Sequence, residues 1–226
     1  PASKLGELTI VEALSRAGVA PDEVSEVIMG QVLTAGVGQN AARQAAVNAG
    51  IPTDRTAVTI NQVCGSGVRS VAMGVQAILA GDSDIVVAGG QENMSQAAHA
   101  AQMRNGQKMG PLNLVDTMIV DGLWDAFHGY HMGTTAENVA EKWDITRDQQ
   151  DAFAAVVQRR GIVGRIAVLV AKFAGDRGRC SITGLEGSHV VDDNQEFAGR
   201  EQLRVQPVDH DGIDFLHDLQ CFGVFD

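Results

Sequence analysis

The chain has 226 residues, a mass of 23.8 kDa and a formal net charge of −11, from 17 basic and 28 acidic residues. This acidic balance argues against binding nucleic acid or an anionic membrane through bulk electrostatics. Hydrophobic residues make up 45% and charged residues 20% of the sequence, which excludes an intrinsically disordered chain and fits a globular protein. Aromatic residues are only 4%, so the core is expected to consist largely of Ala, Val, Ile and Leu.

The three cysteines, Cys64, Cys180 and Cys221, form no CxxC pair and fit neither a disulfide framework nor a zinc site. We therefore expect no bound metal and a reducing environment. No apolar run reaches the length expected of a membrane span, and the first residues lack the basic and apolar segments of a signal peptide. These features predict a soluble, cytoplasmic protein.

The first part of the chain alternates between predicted helices and strands. Apolar residues recur at three-residue steps over 5–17 and stop at Gly18, which predicts a helix that ends in a glycine cap. A strand rich in β-branched residues is predicted within 24–32. A second helix is predicted over 40–48, with Asn40 as its N-cap.

Residues 56–88 predict a strand, a buried helix and another strand. The runs 56–60 and 84–88 are apolar, and 65–80 is nearly apolar on every face. A helix that is apolar all round is usually buried, and strands without polar alternation are usually covered on both faces. The segment therefore predicts a layered α/β core with this helix inside it.

The segment 89–144 is rich in Gly, Met, Asn and Gln and contains only short helical patterns. A long segment of this kind inside a compact domain is usually functional, so we expect it to cover a site. Two capping-box patterns, at 134–137 and 146–149, predict the starts of two helices. Beyond Ala155 the helical rhythm is lost, apart from one predicted strand over 162–170.

Cys64 lies between a predicted strand and the buried helix, in the sequence Asn-Gln-Val-Cys-Gly-Ser-Gly. A thiol at a helix N-terminus faces unpaired N–H groups and the positive end of the helix dipole, which favours the thiolate. Gly65 and Gly67 would let a substrate carbonyl group approach the sulfur. This pattern indicates a nucleophile that forms an acyl-enzyme. On local spacing alone, a structural cysteine beside a tight turn is an equal alternative.

Three segments, 61–67, 87–95 and 129–138, occur in an order and with sequences that closely resemble the thiolase family, in particular its biosynthetic acetyl-CoA acetyltransferases. The resemblance is nearly continuous from about Leu5 to Ala154. It implies a five-layer α/β fold made of two similar halves. This chain would represent the N-terminal half, a thiolase-like layered α/β/α core with part of the loop domain inserted.

The resemblance implies roles for four residues. Cys64 would accept an acetyl group from one acetyl-CoA, and a second acetyl-CoA would attack the thioester to give acetoacetyl-CoA; thiolysis is the reverse reaction. Leu123, His131 and Met132 would line a short acyl pocket, whereas core packing and a histidine bonded to neighbouring backbone are the structural alternatives. The CoA thioester is a substrate, so the resemblance implies no cofactor.

The resemblance also divides the chain into three parts. Residues 1–88 would form the N-terminal core without the family's first strand, 89–155 the loop domain that covers CoA, and 156–226 a divergent tail. Residues 101–122 resemble the segment through which tetrameric members assemble, which implies a homo-oligomer; a mobile surface hairpin is the alternative.

The tail departs from the family pattern. It lacks the Asn-Glu-Ala-Phe, Gly-His-Pro and Cys-Gly-Gly-Gly segments, so no base for Cys64 can be named among His189, His210 and His217. A truncation, a reading-frame error or a second polypeptide that supplies the missing half would each explain this, and the abrupt change near Ala155 favours the first two. The competing functions are a ketoacyl-synthase-like condensing enzyme and a non-catalytic thiolase-fold partner or scaffold.

Overall fold

The computed structural model describes residues 1–159, 169–173 and 180–184. Its centre is a five-stranded sheet with the order β2-β1-β3-β6-β7. The strands are β1 (Glu26–Gly30), β2 (Thr56–Ile60), β3 (Ile85–Gly90), β6 (Leu169–Phe173) and β7 (Cys180–Gly184). The first three are parallel to one another, β6 is antiparallel to β3, and β7 is antiparallel to β6. The predicted α/β class is confirmed.

Three helices cover this sheet: α1 (Ala2–Ala17), α2 (Ala41–Asn48) and α3 (Ser66–Ala80). The predicted caps of the first two are confirmed. Gly18 ends α1 with a left-handed φ of 64°, and its N–H group bonds to the carbonyl oxygens of Leu14 and Ser15. Asn40 begins α2, because its side-chain oxygen accepts a hydrogen bond from the N–H of Arg43.

The two faces of the sheet carry separate apolar clusters, because alternate residues of a strand point to opposite faces. On one face, Val27 of β1 and Val87 of β3 pack with α1 and α2. On the other face, Ile28 and Val86 pack with Ile78 of α3. The result is a three-layer α/β/α arrangement with β1 and β3 buried at its centre.

Helix α3 is buried on one face only. Gly74 lets it approach the sheet, since a Cβ atom there would lie 3.1 Å from Val86 Cγ1. On the outer side, Val68 is 41% and Leu79 72% exposed. The prediction that α3 is covered on every face is therefore wrong. Among the described residues, no further layer packs on its outer side.

The segment Val63–Ala80, which includes α3, has a mean hydropathy of 1.3 and is, by length and composition alone, long and apolar enough to cross a membrane. The expectation that no apolar run reaches this length is wrong for this segment. Length and composition alone are weak evidence for a span, and α3 packs against β1 and β3 as the helices of layered α/β domains do.

Residues 89–159 contain short elements and two longer helices. A two-stranded hairpin is formed by β4 (His99–Ala100) and β5 (Val115–Asp116), and a π-helical turn (Met118–Leu123) follows it. Then come α4 (Met132–Lys142) and α5 (Arg147–Arg159).

The two predicted capping boxes have different outcomes. The one at 146–149 is confirmed, because Thr146 N–H bonds to Gln149 Oε1 and Gln149 N–H bonds to Thr146 Oγ1. The one at 134–137 is wrong. Helix α4 begins at Met132, and the side chain of His131 caps it instead of Thr134.

The strand predicted over 162–170 overlaps β6 only at residues 169 and 170, and residues 160–168 lie outside the described part. The sequence did not predict β7. The three histidines of the tail and Cys221 also lie outside the described residues. The boundaries 1–88, 89–155 and 156–226 stay predictions.

Candidate active site

The carboxyl ends of β1, β2 and β3 meet at one edge of the sheet, and Cys64 lies there in the connection from β2 to α3. Ligands of open parallel sheets bind at this edge. Gly30 is in register with Ile60 and Gly90, and a Cβ atom on Gly30 would lie 2.6 Å from Ser66 Cβ and 2.9 Å from Gly67 N. The absence of a side chain at Gly30 therefore lets the start of α3 rest directly on the sheet.

The turn that carries Cys64 is tight and strained. Val63 has a φ of 50°, a conformation that β-branched residues rarely adopt and that costs on the order of 1–3 kcal/mol. Its N–H donates to Asn61 Oδ1 over 2.8 Å. The buried hydroxyl of Ser66 accepts from Gln62 N–H at 2.8 Å and donates to the Val63 carbonyl oxygen at 2.6 Å. These bonds fix the backbone on the N-terminal side of the thiol.

Cys64 itself is exposed and is a free thiol. Gly65 is the N-cap of α3, and a Cβ atom on Gly67 would meet no atom within 4 Å. The N–H groups of Gly65 and Ser66 close the turn onto the carbonyl oxygens of Gln62 and Val63. Open space beside a thiol and a helix N-terminus suits the approach of a thioester carbonyl group.

His131 is the N-cap of α4, and its Nδ1 accepts a hydrogen bond from Gly133 N–H at 3.1 Å. An accepting nitrogen carries no proton, so the neutral ring holds its proton on Nε2. The ring is exposed. His131 can therefore cap the helix and donate a second hydrogen bond to a ligand at the same time.

A short loop between Trp124 and His131 presents the histidine. The two residues form an isolated antiparallel bridge, and Asp125 lies inside the loop. Its carboxylate accepts hydrogen bonds from the N–H groups of His128, at 3.0 Å, and Phe127, at 2.8 Å, and contacts His128 Nδ1 at 2.9 Å. These hydrogen bonds lower the pKa of Asp125. The largest contribution comes from the backbone N–H of His128, followed by the backbone N–H of Phe127 and then the side chain of His128. This residue was not predicted from the sequence, although aspartate is favoured in turns because its carboxylate can accept the N–H two residues on, as it does here from Phe127.

Leu123 is the last residue of the π-helical turn and is half-buried, and Met132 begins α4 and is 36% exposed. The bridge between Trp124 and His131 brings the segments of all three predicted pocket residues together. Within the described residues, no hydrogen bond or ion pair joins Cys64 to Leu123, His131 or Met132. The roles of Cys64 and of the three pocket residues stay predictions.

No acid or base is hydrogen-bonded to Cys64 in the part of the chain that the structure describes. The same residues contain no group of three or more His, Cys, Asp or Glu side chains that could hold a metal ion. Among residues 1–159, 169–173 and 180–184, the geometry is thus that of an accessible thiol on a rigid turn without a proton acceptor in contact.

The family described as "Thiolase, N-terminal domain" matches residues 1–166. The chain belongs to the thiolase family. This thiolase chain is 54% identical over 192 residues to an acetyl-CoA acetyltransferase of Paracoccus denitrificans, with 85% of this chain and 48% of the relative covered. It is 61% identical over 161 residues to one of Cupriavidus necator, with 71% and 41% covered. A cytosolic acetyl-CoA acetyltransferase of Rattus norvegicus is 57% identical over 160 residues, with 71% and 40% covered.

A solved structure supports the fold of this thiolase. The Acat5 thiolase of Ascaris suum, crystallised in complex with coenzyme A, is 39% identical and superposes with a TM-score of 0.65. The superposition covers 71% of this chain and 42% of that one. The chain spans about half the length of the curated relatives that it matches. Its match of 192 residues to the Paracoccus relative includes part of the segment after Ala155.

Proposed function

We propose that Cys64 is the acyl-accepting nucleophile of an acetyl-CoA acetyltransferase. Its thiolate would attack the carbonyl carbon of acetyl-CoA, a carbon–sulfur bond to Cys64 would form, and the bond to the sulfur of CoA would break. CoA would leave as a thiolate and take up a proton. The observation that carries this proposal is the exposed thiol on a strained turn, with open space at Gly67, at the start of α3.

In the complete reaction, a second acetyl-CoA would lose an α-proton and attack the acetyl-Cys64 thioester. Acetoacetyl-CoA would form and the Cys64 thiolate would be released; thiolysis runs through the same steps in reverse. Both directions need groups that accept and return protons. Because the described residues place no such group against Cys64, we expect this chain alone to reach the acetyl-cysteine stage and to condense acetyl groups slowly.

The acyl group and the pantetheine arm of CoA would lie against Leu123, His131 and Met132. His131 Nε2 would donate a hydrogen bond while Nδ1 remains bonded to Gly133 N–H. Leu123 and Met132 would limit the length of the acyl group through packing. In this proposal the CoA thioester is the substrate, and the reaction uses no cofactor.

Residues 101–122 are proposed as a surface for self-association, up to a tetramer. The segment exposes Met103, Leu112 and Leu114, and Met109 is 89% exposed. Exposed apolar residues of this kind favour an interface.

A cytoplasmic location and a role in lipid metabolism belong to the same proposal, and the rat relative that carries "cytosolic" in its name supports the location. That the chain is a fragment of a longer enzyme is likewise proposed, and its share of the relatives' length supports this.

The test is acetylation of Cys64 in the full 226-residue chain. The chain is incubated with acetyl-CoA, digested without reductant and analysed by mass spectrometry for peptides that carry one acetyl thioester. We expect the label at Cys64, and we expect acetyl-CoA to slow alkylation of Cys64 by dilute iodoacetamide. The Cys64→Ser variant is the control and should show neither effect.

Two results would contradict the proposal: no acetyl thioester on Cys64, or equal labelling of Cys180 or Cys221. The exposed apolar residues of 101–122 would then favour the second candidate, a non-catalytic thiolase-fold scaffold. Sedimentation of the full chain with Met109→Ser distinguishes this function, because a scaffold that assembles through this segment loses its oligomer in that variant.

A further inference from the structure

Beside the candidate site, two buried side chains and one half-buried side chain hold the backbone of Leu33, and we name this group the Leu33 clamp. Its members are Gln31, Gln91 and Glu92. Gln31 follows β1, and Gln91 and Glu92 follow β3, so the clamp lies at the same sheet edge as Cys64. None of these side chains has a part in the proposed acyl transfer.

The clamp holds both polar groups of the Leu33 backbone. Glu92 Oε2 accepts from Val32 N–H at 2.8 Å and from Leu33 N–H at 3.2 Å. Gln31 Nε2 donates to the Leu33 carbonyl oxygen at 2.9 Å, and Gln91 Nε2 donates to Gln31 Oε1 at 2.8 Å. Gln31 and Gln91 are almost fully buried, so these bonds are shielded from water. Gln91 Oε1 has no hydrogen-bond partner among the described residues, so the four hydrogen bonds given above are what hold the Leu33 backbone.

Leu33 in turn touches the segment that carries the proposed acyl pocket. Its side chain is 6% exposed, and a Cβ atom on Gly122 would lie 3.6 Å from Leu33 Cδ2. Gly122 precedes Leu123 in the π-helical turn. A displacement of Leu33 would open space beside Gly122 and allow this turn to shift.

We infer that Glu92 is a positioning residue that sets the place of Leu123, through Leu33 and Gly122, and thereby the acyl selectivity of the site. The inference on selectivity rests on the proposed function. The inference on position does not, because it depends only on the contacts of Glu92, Leu33 and Gly122. Glu92 Oε1 is buried without a hydrogen-bond partner among the described residues, so a single oxygen of the carboxylate does the positioning. The amide of Glu92→Gln can supply that oxygen.

The experiment reads the position of Leu123 through its neighbour Trp124. The chain has two tryptophans, and Trp143→Phe leaves Trp124 as the only one. Acrylamide quenching is then measured for the full chain with Glu92→Ala, Glu92→Gln or Leu33→Ala added. Since Trp124 is 46% exposed, complete release of its ring would raise the quenching constant about twofold.

We expect higher quenching in Glu92→Ala and Leu33→Ala, and the parent value in Glu92→Gln. Glu23→Ala is the matched control, because Glu23 Oε2 also accepts a backbone N–H, that of Ala20, but does so before the start of β1, at the opposite edge of the sheet. Glu23→Ala should leave the acrylamide quenching of Trp124 unchanged while it lowers the free energy of unfolding by a comparable amount. If Glu92→Ala fails to fold, Glu92→Asp takes its place, because the shorter side chain withdraws the carboxylate oxygen from the N–H groups of Val32 and Leu33.

The second measurement is the ratio of Cys64 acylation by acetyl-CoA to that by butyryl-CoA. We expect Glu92→Ala to lower this ratio and Glu92→Gln to restore it. Unchanged quenching in Glu92→Ala and Leu33→Ala overturns the positioning role, whatever Cys64 does. Altered quenching with an unaltered ratio overturns the role in selectivity. If the unsubstituted chain is not acylated at all, the proposed function fails while the quenching result still decides the position of Leu123.

Discussion

The hydroxyl group of Ser66 bonds to the carbonyl oxygen of Val63 at 2.6 Å, and Val63 holds a left-handed φ of 50° directly before Cys64. A helical serine thus stabilises the strained residue that presents the thiol. The same hydroxyl accepts the N–H of Gln62. The bonds span the turn, so the orientation of the thiol depends on a side chain two residues after it.

Ser66→Ala is expected to lower the free energy of unfolding by about 0.5–1.5 kcal/mol, because it removes the acceptor of the Gln62 N–H and one of the two hydrogen bonds to the Val63 carbonyl oxygen. It should also slow acetylation of Cys64, since Val63 can relax. Urea denaturation and the rate of acetyl transfer measure the two effects. Ser25→Ala is the control: Ser25 Oγ accepts from the N–H groups of Asp84 and Ile85 at the opposite edge of the sheet. Acetylation at the same rate in both variants would refute a role for Ser66 in presenting the thiol.

Two glycines near Cys64 should respond differently to alanine. Gly67→Ala adds a methyl group where no atom lies within 4 Å, so we expect stability to be kept or to rise by about 0.5–1 kcal/mol, and acetylation of Cys64 to fall. Gly30→Ala places its methyl group 2.6 Å from Ser66 Cβ, so we expect a loss of about 1–3 kcal/mol. Thermal unfolding and acetyl transfer measured on both variants test this. Full acetylation of Gly67→Ala would show that the acyl group approaches from another side.

Replacement of His131 can separate helix capping from ligand binding. His131→Ala removes the cap of α4, which typically costs about 1 kcal/mol, and removes the Nε2 donor as well. His131→Asn keeps a side-chain acceptor for Gly133 N–H, but its shorter amide does not reach the position of the Nε2 donor. We expect circular dichroism to show a loss of helix in the first variant alone, and weaker use of acetyl-CoA in both. Normal acetyl-CoA use by His131→Asn would limit this residue to capping.

The loop around Asp125 should contribute stability in a pH-dependent way. The pKa of Asp125 is lowered in the folded chain from an ordinary value of 3.8, so its carboxylate stabilises the fold above that value and loses this effect as the pH falls through the lower folded value. Asp125→Asn should therefore reduce the urea midpoint at neutral pH, and its difference from the parent should shrink below about pH 3.8. An equal difference at every pH would contradict this account.

Features that depend on adjacent residues could be predicted from the sequence. Gly18, Asn40 and the Thr146 capping box fall into this group, because each signal and its hydrogen bonds lie within a few residues. The predicted cap of α4 at Thr134 is wrong, because the helix begins earlier and a ring nitrogen of His131 accepts the N–H of Gly133. The Thr-x-x-Glu pattern does not reveal this use of a histidine.

Contacts between distant residues could not be predicted. Glu92 bonds to Val32 and Leu33 across 60 and 59 positions, and only the adjacency of β1 and β3 brings them together. The exposure of the outer side of α3 could not be predicted. The composition of a helix shows that it is apolar, but it does not show how many layers surround it. Cys64 was found through its motif, whereas the strain at Val63 has no sequence signal.

Gly30, Gly67 and Gly90 lie close together where the cysteine turn meets the sheet. The position of the cysteine is therefore fixed by a different part of the chain from the part that would contact a substrate. A Cβ atom on Gly90 would lie 3.5 Å from the Gly30 carbonyl oxygen and 3.7 Å from Gly67 Cα, and the Ser70 hydroxyl donates to the Gly89 carbonyl oxygen at 2.7 Å. Close main-chain packing and this hydrogen bond set the distance between the cysteine turn and the sheet. The side chains that would face a substrate belong to a separate stretch of the chain. Under the proposed function, substitutions in that stretch would alter which acyl groups are accepted while Cys64 keeps its place, so a single scaffold could supply enzymes of different acyl selectivity.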